Sequence, residues 1–236
     1  MLGLHGLQSN QNIFSDLISD PRFSEFSILT LDVLGFGESD KPKGFSYDLL
    51  EQAEIISLVL EKKELRRFTV VGHSLGGMLG TLLLKVVPNH VIALISLEGN
   101  LTEKDCGESL KVSSMEFKKF VANYDKMKAD ISTTGGSGGA KRATWMKSTP
   151  DYAFFKTSES IVSWSRNKEL SEIFHNSSQP KLLIVGDQSR FHSRPCAECI
   201  VIRTVKNAGH FMLLEEPRET LHLIYEFLGS VIKGDH

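Results

Sequence analysis

Phe68-Thr69-Val70-Val71-Gly72-His73-Ser74-Leu75-Gly76-Gly77 is the stretch on which the fold turns. Its first four residues are a compact apolar run of β type. From Met78 to Val87 the chain is apolar enough for a buried helix, and Pro88-Asn89 stops it. Between the two lies G-x-S-x-G, Gly72 to Gly76. A serine held at so sharp a strand-to-helix turn leaves no room for bulky neighbours, and glycines two residues away on either side remove the clash. Ser74 Oγ would then stand clear of the backbone at a helix N-terminus, with the Leu75 N–H aimed at a developing oxyanion. The plainer reading of the same residues is a helix N-cap serine in a glycine-rich turn. The strand before and the helix after favour a nucleophile.

The surroundings repeat this alternation. Residues 27–31 form an apolar run ending at Asp32, residues 47–62 carry Leu49, Leu50, Ala53, Ile56 and Leu60 at helical spacing, and residues 91–97 form the next strand. Buried strands alternating with helices predict a parallel sheet covered on both faces. The pattern breaks between Asn100 and Gln179, where Lys, Ser and Glu are richer and helical patches fall at 115–128 and 158–175. Gly135-Gly136-Ser137-Gly138-Gly139 reads as a flexible loop. Strands return at 181–185 and 200–205, followed by a helix at 217–232 with Pro217 in the first position. The expected organisation is one α/β core, residues 1–100 and 177–236, with residues 101–176 inserted as a helical cap.

Ala208-Gly209-His210-Phe211 falls after the last strand and before the last helix. A histidine there can reach back to Ser74 at the C-terminal edge of the sheet, where parallel-sheet sites form. His5 and His73 sit inside motifs, whereas His90, His175, His192, His222 and His236 have no catalytic context. The cap aromatics Trp145, Tyr152, Phe154, Phe155 and Trp164 read mainly as the cap's own small core, with an acyl pocket as the alternative.

The chain of 236 residues is 41 % hydrophobic and 24 % charged with a formal net charge of −2, so no strong field draws it to nucleic acid or to an anionic membrane surface. No apolar run is long enough to span a bilayer, and Met1 to Gly6 lacks the basic and apolar segments of a signal peptide, so a cytoplasmic location is expected. The three cysteines, Cys106, Cys196 and Cys199, do not make a disulfide framework. Cys196 and Cys199 form a C-x-x-C, but a zinc site needs two further ligands and only His192 is near, so no metal is expected.

Four segments in order resemble the α/β-hydrolase superfamily, in its esterase- and lipase-like branch with a helical cap: Leu4-His5-Gly6-Leu7, Asp32-Val33-Leu34-Gly35-Phe36-Gly37-Glu38-Ser39, the turn at Ser74, and Gly209-His210-Phe211 with Glu216-Pro217. The resemblance covers everything but the cap. It implies a Ser74–His210–carboxylate triad, with Leu7 and Leu75 supplying the oxyanion-hole N–H groups. Ser74 stands where haloalkane dehalogenases and soluble epoxide hydrolases carry an aspartate, which argues against those chemistries. The loop from Asp32 reads as structural.

Two departures from the family pattern stand out. The family places a pair of strands before its His-Gly motif, and only four residues precede His5, so those strands are expected to be missing. The strand at 27–31 then becomes a sheet edge, and its uncharged apolar run predicts dimerisation through that edge, some cover for it, or lower solubility than a full-length relative. The triad acid is also displaced. The place three residues beyond Gly186 is Ser189, so the candidates are Glu98, after the strand at 91–97, and Asp187 as the alternative. The expected function is hydrolysis of a small ester, thioester or amide through an acyl-enzyme, with no cofactor. Carbon–carbon bond hydrolysis by the same triad and a non-turnover small-molecule receptor are the alternatives.

Overall fold

The computed structural model describes residues 1–195 and 197–234, apart from the side chain of Ser137. Cys196, and with it the C-x-x-C reading, lies outside the described residues, as does His236. Six strands form one sheet: β1 (Leu2–Leu4), β2 (Leu29–Leu31), β3 (Phe68–His73), β4 (Val91–Leu97), β5 (Lys181–Gly186) and β6 (Ile200–Val205). Their order is β2-β1-β3-β4-β5-β6 and every pair is parallel. This is the doubly covered parallel sheet that the alternating apolar runs predict.

Successive strand residues point to opposite faces, and both faces are dry. Val70, Leu94, Leu183 and Val185 join one apolar core, packed beneath α2 (Leu49–Lys62) and α3 (Leu75–Val86). Val71, Ala93, Ile95, Leu182 and Ile184 join the other, beneath α1 (Ser15–Ser19) and the last helix, α10 (Pro217–Lys233). Between β4 and β5 the chain forms α4 (Gly107–Ser113), α5 (Phe117–Thr134), α6 (Gly139–Trp145), α7 (Asp151–Arg166) and α8 (Glu169–Asn176). A short α9 (Met212–Glu215) follows β6. Among the described residues, no helix is long and apolar enough to cross a membrane.

Three local expectations change. The run at 27–31 contributes only Leu29–Leu31 to the sheet, because its neighbour β1 offers just three rungs, Leu2 to Leu29, Gly3 to Thr30 and Leu4 to Leu31. β2 is nonetheless the outermost strand. The helical patch at 158–175 is two helices. Lys168 takes a left-handed φ of 63°, and the Asn167 side chain accepts the Glu169 N–H at 3.0 Å to start α8. The glycine-rich stretch at 135–139 is a tight 3-10 turn running into α6, tied by Arg142 Nη2 donating to the Gly135 carbonyl at 3.0 Å.

The sheet order determines where a site can form. From β1 the chain steps outward to β2, then returns to place β3 on β1's other side. The loops leaving β1 and β3 therefore diverge and open a crevice at the strands' C-terminal ends. Leu4 pairs with Gly72 in this register, so the segment after Leu4 and the turn at Ser74 flank the same crevice.

Candidate active site

Ser74 sits between the last residue of β3 and the first of α3, at φ 54° and ψ −116°. A non-glycine residue held there costs on the order of 1–3 kcal/mol, which the surrounding structure must offset. Its backbone is pinned by the Ser74 N–H donating to Leu97 O at 2.9 Å. The flanking glycines are required by close approach. A Cβ on Gly72 would stand 2.3 Å from Gly76 O, and one on Gly76 would stand 1.8 Å from Leu4 O. The Ser74 side chain caps no backbone group of α3, contrary to the N-cap reading.

Glu98 follows β4 at φ 52°, another left-handed non-glycine residue, and is 1 % exposed. Its Oε1 accepts the Gly186 N–H at 2.8 Å and its Oε2 lies 2.7 Å from His210 Nδ1. A carboxylate only accepts, so Nδ1 carries the proton and Nε2 is left as the acceptor. The structure thus brings Glu98 to His210. Asp187 is exposed at the end of β5, and its carboxylate makes no hydrogen bond or ion pair among the described residues. Ser189 turns its hydroxyl to the Phe191 N–H.

Ser74, Glu98 and His210 line one cavity of about 440 Å³, together with Leu7. His210 makes no hydrogen bond to Ser74, a looseness common at resting sites. Among the described residues, the N–H groups of Leu7 and Leu75 have no hydrogen-bond partner. They flank Ser74 from β1's loop and from the start of α3.

Two buried histidines brace this arrangement. His5 Nε2 accepts the Val33 N–H at 3.0 Å, so Nδ1 holds the proton and donates to Gly6 O at 2.8 Å. His73 donates from Nε2 to the carbonyl of His210 at 2.8 Å, with the two rings 4.9 Å apart. Burial, followed by the electrostatic effect of the neighbouring His210, drives the His73 imidazole from 6.5 to about 3. Unfolded His73 takes a proton near its ordinary value while the folded ring refuses it, so stability falls as pH drops from 6.5 toward 3. The wild-type Tm should therefore drop more between about pH 7 and about pH 5 than that of His73→Gln. Equal drops in the two melts would remove His73 from the acid sensitivity.

Asp32 is structural, as its sequence context predicts. It accepts the Gln11 N–H at 2.7 Å and the Glu38 N–H at 2.8 Å, holding the loop after β2. None of Trp145, Tyr152, Phe154, Phe155 and Trp164 lines the cavity, and Phe154, Phe155 and Trp164 are buried among the helices between β4 and β5. Among the described residues, no three histidine, cysteine, aspartate or glutamate side chains gather as a metal site. Sequence reading missed Gln8, Asp105 and Arg142, which also line the cavity. Asp105 ties helix to loop by accepting the His192 and Ser193 N–H groups at 2.9 and 3.1 Å. Thr102-x-x-Asp105 is a capping-box pattern that marks a helix start and not a cavity wall, and no sequence pattern marks Gln8 or Arg142.

A profile of the alpha/beta hydrolase fold family matches residues 1–145, which include the turn at Ser74. The chain belongs to that family. Among relatives, it is 38 % identical over 84 residues to LipZ of Mycobacterium tuberculosis, described as a hydrolase; the match covers 36 % of this chain and 28 % of LipZ. The aligned region is thus under a third of that relative's length. YugF of Bacillus subtilis, described as an uncharacterised hydrolase, is 22 % identical, with the match covering 98 % of this chain and 88 % of YugF. A carboxylesterase structure from Nitrososphaera gargenis superposes with a TM-score of 0.81 at 17 % identity, covering 99 % of this chain and 90 % of that one. An esterase from Exiguobacterium antarcticum gives 0.79 at 17 %, covering 97 % and 91 %. At such identities these two structures speak to the fold alone.

Proposed function

We propose that the chain is a serine hydrolase that cleaves a small ester, thioester or amide through an acyl-enzyme. The observation that carries this reading is the Glu98–His210 pair sharing a cavity with a strained Ser74. In the proposed cycle, His210 Nε2 takes the Ser74 proton as Oγ attacks the acyl carbonyl. The oxyanion forms against the Leu7 and Leu75 N–H groups. His210 then gives the proton to the leaving group. Water, deprotonated by the same histidine, releases the acid and restores Ser74. Glu98 stays ionised, holds Nδ1–H, and balances the imidazolium.

The helices between β4 and β5 act in this reading as the cap. α4 brings Glu108 and Ser109 to the cavity wall, and α6 brings Arg142. The test is a series of p-nitrophenyl esters of graded acyl length, with turnover followed past one equivalent. Multiple turnover with a clear length optimum is expected. Binding of the esters without turnover would instead mark a receptor. Self-association through β2 is a separate proposal resting on its outermost place in the sheet. Light scattering should find a dimer in which amides of Leu29–Leu31 exchange slowly; a monomer with rapid exchange there would contradict it.

A further inference from the structure

The proposed acyl transfer uses none of the cavity's cations, Lys104, Arg142 and Arg190, and of these Lys104 and Arg190 are exposed while Arg142 is buried. Arg142 lines the cavity and is only 8 % exposed. Its guanidinium carbon lies 3.9 Å from the centre of the Phe211 ring, and Phe211 directly follows His210. Nη2 donates to Gly135 O, and Nε is buried without a partner. Nη1 makes no hydrogen bond among the described residues. No carboxylate oxygen stands within 4.0 Å of the guanidinium among those residues.

A buried cation normally has a counterion, because desolvation makes an unpaired one costly. The nearby carboxylates are engaged elsewhere. Glu108 accepts from Gln8 Nε2, and Glu215 accepts the Gly209 N–H at 2.6 Å. Asp105 is filled by backbone and hydroxyl donors, and Glu98 belongs to His210. Five buried side-chain polar atoms lack partners among the described residues, and three of them, on Gln8, His73 and Arg142, belong to residues lining this cavity. Buried polar groups are ordinarily satisfied, so their concentration here marks a place finished by a polar ligand.

Resting on the serine hydrolase reading, we propose that the substrate carries a carboxylate close to its scissile bond and that Arg142 binds it. The guanidinium stacks on Phe211, whose ring centre lies 5.2 Å from that of His210, so the proposed spacer is short. A planar guanidinium also offers paired N–H donors suited to a carboxylate.

The test compares monomethyl glutarate with methyl valerate, which match in length and differ in the terminal anion, by proton release. In the wild type, kcat/KM for the anionic ester should exceed that for the neutral one by about tenfold or more, the worth of one charge-assisted hydrogen bond. Arg142→Gln should bring the ratio of the two down to about one, and Arg142→Lys should keep part of the preference. Should Arg142→Gln fail to fold, the wild type still decides. Free glutarate should inhibit methyl valerate hydrolysis competitively where valeramide does not, and absence of that inhibition overturns the proposal. Hydrolysis of methyl valerate with no Arg142-dependent preference defeats the carboxylate subsite alone. Hydrolysis of neither ester, with Ser74 unreactive to a phosphonate probe, defeats the acyl-transfer reading and this proposal with it.

Discussion

Replacing Ser74 by alanine should lower kcat for ester hydrolysis by about 10⁶, and replacing His210 by alanine should cost nearly as much. The two losses should not add in the double variant, because a base without a nucleophile and a nucleophile without a base leave the same residual site. In the proposed mechanism, that residue of activity comes from the Leu7 and Leu75 N–H groups and from the cavity itself. The fold should survive. Ser74 makes no side-chain hydrogen bond to α3, and His210 is 36 % exposed in its side chain, so neither truncation opens the core. A kcat for Ser74→Ala within tenfold of wild type in a variant with an unchanged melt would place the chemistry elsewhere.

Glu98→Gln should lower turnover by about 10⁴. The amide keeps the volume, so the cavity is preserved, but the charge that stabilises the imidazolium is gone. A glutamine can also turn its NH₂ toward His210 and impose the wrong tautomer, placing the ring proton on Nε2, where it cannot accept from serine. The backbone supports this proposed role. The left-handed turn at Glu98 sends one carboxylate oxygen to the Gly186 N–H and the other to His210. Asp187→Asn should change kcat by less than about tenfold, or 1.4 kcal/mol in barrier. Its carboxylate is exposed and touches neither partner. The paired measurement of kcat in the two variants separates the candidates, and a larger loss in Asp187→Asn would reverse the assignment.

The sequence made the sheet readable wherever a strand is buried on both faces. β3, β4 and β5 are apolar runs bounded by glycine, proline or a charge, and their edges match to within two residues. β1 escaped notice because three residues, Leu2 to Leu4, carry no period, and only the register against β3 makes them a strand. α4 and α6 escaped for another reason. At seven residues each, with glycine at their starts, they are held by tertiary contacts such as Arg142 on Phe211, and intrinsic helix preference contributes little.

The site was legible in the same uneven way. Ser74 lies in a turn whose backbone needs glycine on both sides, and His210 lies in a short Gly-His-Phe motif between the last strand and the last helix, so both residues advertise themselves. The acid has no such signature, since any carboxylate ending a neighbouring strand can reach the histidine. The geometry around Glu98 depends on a positive φ and on the parallel pairing of β4 with β5, neither of which local composition encodes. Arg142 was invisible because an arginine in a Lys- and Ser-rich stretch reads as a solvated surface charge. Its burial comes from how α6 packs beside the segment after His210.

Mass spectrometry of the intact chain after exposure to a fluorophosphonate tests the serine assignment most directly. One adduct per chain is predicted, mapping to the peptide that holds Ser74, with a rate that falls steeply in His210→Ala and with no adduct in Ser74→Ala. An adduct that persists at full rate in folded Ser74→Ala, or maps to another residue, would contradict it.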